Sequence, residues 1–280
     1  MKKRSSFRPS ALTVAVAGLF VLGVFPLVSS QSRAQSRSHS SKVDTATLLS
    51  ALGDALGGAA NIKKIHTFYF EWKASSVHVA PSDSIQTFQV RTHEVGREWL
   101  TSGGSDRLES RAAVMQGEPV LQVLAAGKPP NGWILVGDQG FPSGNSTGQM
   151  QGPDLERAIS HVYWTTFAYL TSAGLAGRVN YLPHAGAPDY LLELDPEGGA
   201  PIKAYLNGKT FLPDKVQIGD DPYKMVIVPK DWKYVNGVRF PLDMTVRLFD
   251  SQMKSDYTFT KIQVNVKPPK NAFAQPTPAL

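Results

Sequence analysis

The chain has no cysteine. That excludes disulfides, thiolate metal sites and a thiol nucleophile, and it removes the attachment point for a cysteine-borne lipid. No glycine-rich phosphate loop opens a helix after a strand, so nucleotide binding has no support. None of the six histidines (His39, His66, His78, His93, His161 and His184) stands at a metal-ligand spacing. His93-Glu94 lacks a second histidine four residues on, so the zinc helix motif is missing. His66 and His78 fall at opposite ends of one strand. His161 sits beside an apolar helical stripe and reads as a boundary residue. Neither a metal nor a cofactor is expected.

Net positive charge is small once the N-terminus is set aside. The whole chain carries +6, but Lys2, Lys3, Arg4, Arg8 and Arg33 lie within residues 1–34, which hold no acid. The remainder is therefore +1, and a nucleic-acid partner is not expected. Those first residues form a basic start, an apolar run from Ala11 to Val28, and small side chains at Ser32 and Ala34. That order predicts a secretory signal, cleaved after residue 34, and an exported, periplasmic protein. The competing expectation is an uncleaved N-terminal anchor in the inner membrane. Its apolar run of 18 residues stands at the lower limit for a span.

What is present in quantity is β pattern. Asn131-Gly132, Asn207-Gly208 and Asn236-Gly237 each lead into a strand-like run, and Asn-Gly tolerates the positive φ of a two-residue hairpin turn. Trp232–Val235 enters the third, and Val238–Pro241 leaves it. Leu242–Leu248 then alternates apolar and polar without a fault, as a half-buried strand requires. Phe68, Phe70 and Trp72 fall on one face of an earlier strand. Further strands are expected at Ile85–Thr92, Glu94–Thr101, Arg107–Met115, Val120–Ala125 and Trp133–Val136. The later half predicts Tyr190–Asp195, Ile202–Leu206, Phe211–Ile218, Tyr223–Val228 and Ser255–Val266.

Two helices interrupt this pattern. The first is capped by Asp44 or Thr45, carries Leu48, Leu49, Leu52 and Leu56 on one side, and stops at Gly57-Gly58. The second starts at Pro153, with Asp154 and Glu156 near its positive end. Its stripe of Leu155, Ile159, Val162, Tyr163, Thr166, Phe167 and Leu170 runs towards Gly174. The expected organisation is a signal over residues 1–34, a polar linker over 35–43, one domain over 44–274 and a loose tail over 275–280. The expected fold is mainly β (α+β): an incompletely closed antiparallel β-barrel with helices covering its concave side.

Candidate chemistry is thin. Gly144-Asn145-Ser146-Thr147-Gly148 has the letters of a nucleophile elbow, but neither flank supplies the strand-turn-helix context that exposes such a serine. A Gly/Ser-rich loop from Phe141 to Gly152 fits better. Asp220-Asp221 and Asp195-Pro196-Glu197 read as turn acids, because Asp bonds its own backbone there. No catalytic residue is assigned, and an enzyme is not expected.

The residue pattern resembles the LolA/LolB-like superfamily of outer-membrane lipoprotein carriers. The resemblance begins at Ala55-Leu56-Gly57-Gly58, Ile62, Ile65 and the strand at Phe68. It continues through Tyr205-Leu206-Asn207-Gly208-Lys209-Thr210-Phe211-Leu212-Pro213 and through Tyr234–Pro241. It closes at Ile262–Asn265 and Phe273. These are turn and strand positions, so no binding residue is carried over. The resemblance implies a half-barrel with an apolar cavity under helices, and lipid or lipoprotein acyl chains as ligands. On that expectation Phe68, Phe70, Trp72, Val162, Phe167, Met244, Val246 and Leu248 line the cavity. Membrane contact is then only transient. The alternative is a protein-interaction or envelope-sensing module with a filled barrel and an envelope protein as partner.

Overall fold

The computed structural model describes residues 44–80, 88–112, 119–136, 146–171, 175–182, 190–248 and 253–276. The segment expected to direct export, the expected linker, His39, His184, Gly144-Asn145 and the tail from residue 277 lie outside the described residues.

Helix α1 (Thr45–Ala55) starts as its sequence dictates: the Asp44 carboxylate accepts from the Thr47 N–H at 2.8 Å. Leu48 and Leu52 bury its apolar side. Gly57 and Gly58 then take φ of 114° and 92°, which end the helix. The Arg239 N–H donates to the Leu56 carbonyl at 2.8 Å and ties this end to the distant hairpin at Asn236-Gly237. A single turn, α2 (Ala59–Ile62), leads to the sheet.

Strands β1 (Thr67–Ala80), β2 (Phe88–Thr101), β3 (Asp106–Ala112), β4 (Pro119–Ala125), β5 (Asn131–Val136) and β6 (Ser146–Gln149) form one antiparallel meander. Helices α3 (Gly152–Thr165) and α4 (Ala168–Thr171) follow. A second meander then runs through β7 (Gly177–Leu182), β8 (Tyr190–Pro196), β9 (Ile202–Leu206), β10 (Pro213–Ile218), β11 (Met225–Val235), β12 (Val238–Leu248) and β13 (Met253–Val264). β13 pairs with β1, so the described strands make one 13-stranded sheet with β6 and β7 at its edges. No ladder joins those edges among the described residues. The α3–α4 segment connects them along the chain.

The sheet curls. β3 and β10 stand six strand steps apart in the order, about 29 Å if flat at roughly 4.8 Å per step. Leu108 of β3 and Pro213 of β10 nevertheless line one cavity. A register shift between Glu71 and Trp72 against β13 supplies one local bend. Phe68, Phe70 and Trp72 face inward and are almost fully buried. Tyr69, on the outer face, packs on Trp99 with ring centroids 4.9 Å apart.

Several expectations need correction. Only Asn236-Gly237, at φ of 48° and 81°, forms the two-residue turn, between Val235 and Val238. Asn131 and Gly132 instead lie inside β5, opposite Ala125 and Leu124. A Cβ on Gly132 would meet the Met150 side chain, so that glycine serves close packing. Asn207 opens a longer loop: its Oδ1 accepts from the N–H of Lys209 and Thr210 at 2.9 and 3.0 Å. The strands expected at Ile85–Thr92 and Glu94–Thr101 are one strand, β2, from Phe88 onward, because its partner β1 is equally long; residues 85–87 lie outside the described residues. Ser146–Gln149 is not loop but the edge strand β6. Strand β7 has no counterpart in the sequence reading; most of its residues are exposed or half-buried, so no buried face marks it.

The second helix is also not continuous. It breaks at Thr166–Phe167, where Phe167 has φ 57°. The Thr166 hydroxyl and its own N–H both donate to the Val162 carbonyl, at 2.7 and 3.0 Å, at the helix end. The break turns the Phe167 ring into the aromatic core, 5.7 Å from Phe240 and 6.3 Å from Phe68. Each such pair contributes about 0.5–1.5 kcal/mol beyond area burial, enough to offset most of the backbone strain of one left-handed residue.

Candidate functional site

Between the concave face and α3–α4 lies a cavity of about 220 Å³, open on one side to solvent. One wall comes from β1, where Phe70 and Trp72 alternate inward. The opposite wall comes from β11 and β12, through Met225, Ile227, Met244, Val246 and Leu248. These residues stand directly across the ladder, with Ile227 opposite Val246 and Met225 opposite Leu248. The helical cover contributes Trp164, Thr165, Phe167 and Tyr169. Trp164 and Tyr169 stack at 5.2 Å, which stiffens it.

The structure brings six of the eight expected residues together: Phe70, Trp72, Phe167, Met244, Val246 and Leu248 line the cavity. Phe68 and Val162 do not. They are 1% and 0% exposed and sit in the packed core behind the wall. The reason is geometric. Phe68 belongs to the same β1 face, but its position is filled by Phe167 and Phe240.

The wall also holds Glu98, which the sequence reading passed over, and His161, which it read as a boundary residue. Glu98 of β2 and His161 of α3 meet at 2.7 Å, His161 Nε2 to Glu98 Oε1. The Glu98 side chain is 6% exposed and that of His161 27%. Burial pulls the imidazole down, but the charge and hydrogen bond of Glu98, with Asp106 behind, outweigh it and push it up to about 9. His161 therefore carries its proton at neutral pH. Asp106 is fully buried, and neither of its oxygens has a well-formed hydrogen bond among the described residues. Burial, then the nearby Glu98 carboxylate, holds its carboxyl well above the ordinary range, so it stays protonated.

No pattern could have found Glu98. Gly96, Glu98 and Leu100 face inward on β2 while Val95, Arg97 and Trp99 face outward, an order that periodicity reads the other way round. His161 was visible as the neighbour of Val162, but its partner was not. Ser146 sits in β6 opposite Val136 and not at a strand-to-helix turn. The described residues contain no group of three or more acids and histidines arranged to hold a metal ion.

Among the described residues the strands form an open antiparallel half-barrel, unclosed by hydrogen bonds, with an apolar cavity under a helical cover. The chain is similar in structure to an outer membrane lipoprotein-sorting protein domain from Vibrio parahaemolyticus. They share 11% identity over 81% of this chain and 94% of that one, with a TM-score of 0.49. It is similar to a DUF1329 family protein from Desulfovibrio piger, at 11% identity over 80% and 96% of the chains and a TM-score of 0.47. It is also similar to a LolA superfamily protein from Nitrosomonas europaea, at 12% identity over 81% and 96% and a TM-score of 0.44. No family model matches the chain, and no curated protein matches it. Among the described residues no helix is long and apolar enough to cross a membrane.

Proposed function

We propose that this protein is a non-enzymatic periplasmic carrier that holds one acyl chain of a lipid or lipoprotein in the cavity. The observation that carries this reading is the hollow itself. A sheet lined by Phe70, Trp72, Met244, Val246 and Leu248 leaves about 220 Å³ unfilled beneath α3–α4. Protein interiors are otherwise packed to crystal-like density, so an apolar hollow of this size is a feature to be explained. Met225 and Met244 give the wall side chains that adapt to a guest.

The mechanism is shielding. Each methylene moved from water into the cavity contributes about 0.8 kcal/mol, or roughly 9 kcal/mol for a 12-carbon tail. Association costs about 4–15 kcal/mol in lost freedom. The tail alone therefore gives reversible, modest binding, which suits a carrier that must release its load.

Native mass spectrometry of the protein purified from its own envelope tests this. The expected result is a bound amphiphile, and uptake of an apolar fluorophore after its removal. Neither bound amphiphile nor uptake, with crosslinking that recovers only a protein partner, would establish the interaction-module alternative instead.

A further inference from the structure

The cavity wall is apolar or aromatic except where Glu98 of β2 bonds His161 of α3, and at Thr165 of the same helix. His161 and Thr165 are one helical turn apart and so share a helix face. We propose that the corner at Glu98 and His161 is a head-group subsite, selecting amphiphiles whose polar end is uncharged and offers both a hydrogen-bond donor and a carbonyl acceptor. The proposal rests on the acyl-chain reading of the cavity and adds the chemistry of the head.

The hydrogen-bonding capacity left at the corner points this way. Nε2 of His161 is committed to Glu98 Oε1. Its Nδ1 has no hydrogen-bond partner among the described residues. A protonated imidazole is a donor at both nitrogens, so one donor is left over at the cavity wall. A carboxylate has about four acceptor sites; His161 occupies one on Glu98 and the protonated Asp106 a second, so about two remain. Buried polar groups in proteins are almost always satisfied. The corner therefore presents one donor and acceptors that the protein itself does not use, side by side at the edge of a greasy hollow. That is the usual form of a ligand site: mostly apolar, with a few convergent polar groups that fix orientation.

Charge excludes the other heads. The Glu98–His161 pair sums to zero, and Asp106 stays neutral behind it. A carboxylate head would be desolvated beside Glu98, and an ammonium head beside His161. An uncharged head exchanges its bonds to water for bonds to the pair and brings no new buried charge.

The test uses the full chain, stripped of lipid, at neutral pH. Trp72, Trp164 and Trp232 line the cavity and report occupancy by fluorescence. Three probes with one 12-carbon chain are titrated below their micelle concentrations: 1-monododecanoylglycerol, dodecanoate and dodecylammonium. The expected result is tighter binding of the glycerol ester than of either ion by about tenfold or more, the scale of one hydrogen bond to a charged group. Glu98→Gln and His161→Gln, each checked for folding by thermal melting, should shrink that preference to about threefold or less. Equal affinity for all three probes, or a charged probe binding best, overturns the head-group subsite and leaves the carrier reading intact. A preference unchanged in a folded variant overturns it too. No binding of any probe overturns both. If a variant does not fold, the ranking on the native chain decides.

Discussion

The Trp72 indole lies directly over Gly96 on the neighbouring strand. A Cβ built on Gly96 would fall within 2.7 Å of Trp72 Cη2 and closer still to the atoms beside it. The two residues are register partners between β1 and β2, and the missing side chain of one makes room for the ring of the other. Trp72 then reaches Tyr257 at 5.0 Å and forms part of the cavity wall.

Gly96→Ala is accordingly expected to push the indole from its place and to cost about 1–3 kcal/mol, the scale of overpacking. In a Trp72→Leu background the same change should cost little or nothing. Urea denaturation of the four chains measures the coupling. An equal cost in both backgrounds would show that the ring is not the cause.

Gly57 and Gly58 form a second contrast. Both have positive φ, but a Cβ at Gly58 meets nothing within 4 Å. One at Gly57 would sit 3.1 Å from the Val238 Cα and closer to the Gly237 carbonyl. Gly58→Ala should cost only the backbone strain, about 1–3 kcal/mol. Gly57→Ala should cost more, because α1 must also lift from the hairpin. Thermal melts that show the reverse order would contradict this docking.

Phe68 and Met244 separate packed core from cavity wall. Phe68 is 1% exposed, within 6.3 Å of the Phe167 and Phe240 rings. Phe68→Ala is expected to cost about 3–5 kcal/mol. Met244 is half-buried and faces a hollow that already exists. Met244→Ala should fall below about 2 kcal/mol, under the usual core range. A filled interior would bring the two values together.

Asp106 and His161 both make stability fall as pH rises, each in its own window. The folded pKa of Asp106 lies well above its ordinary value of 3.8, so the folded state keeps a proton the unfolded chain releases. Stability is lost as pH rises through that ordinary value. Asp106→Asn, which has no charge to suppress, should gain on the native chain as pH rises from about 3 to 7. His161 is raised from 6.5 to about 9. Its contribution is complete below 6.5 and fades as pH rises through about 9. The His161→Gln variant should lack that alkaline loss. Melting temperatures across pH measure both; a pH-independent difference for either variant would refute the assignment.

The sequence by itself determined the local decisions. Asp44 caps α1 and Gly57-Gly58 end it because those needs are met within a few residues. Asn236-Gly237 turns the chain, and the alternation through Leu248 sets which side chains of β12 face inward. Phe70, Trp72, Met244, Val246 and Leu248 were legible as an inner face because a strand's period is fixed by its pleat. The remainder depended on contacts between segments far apart in the chain. Asn131-Gly132 became strand because Met150 packs against that glycine, a contact across 18 residues of chain. The helix over Gly152–Thr165 stopped at Thr166 so that Phe167 could join rings from β1 and β12. Phe68 left the cavity for the same reason. Glu98 and His161, 63 residues apart, became one ion pair only when the curl of the sheet carried β2 under α3. Periodicity records which way a residue points; what waits there is set by long-range closure, which no local pattern encodes.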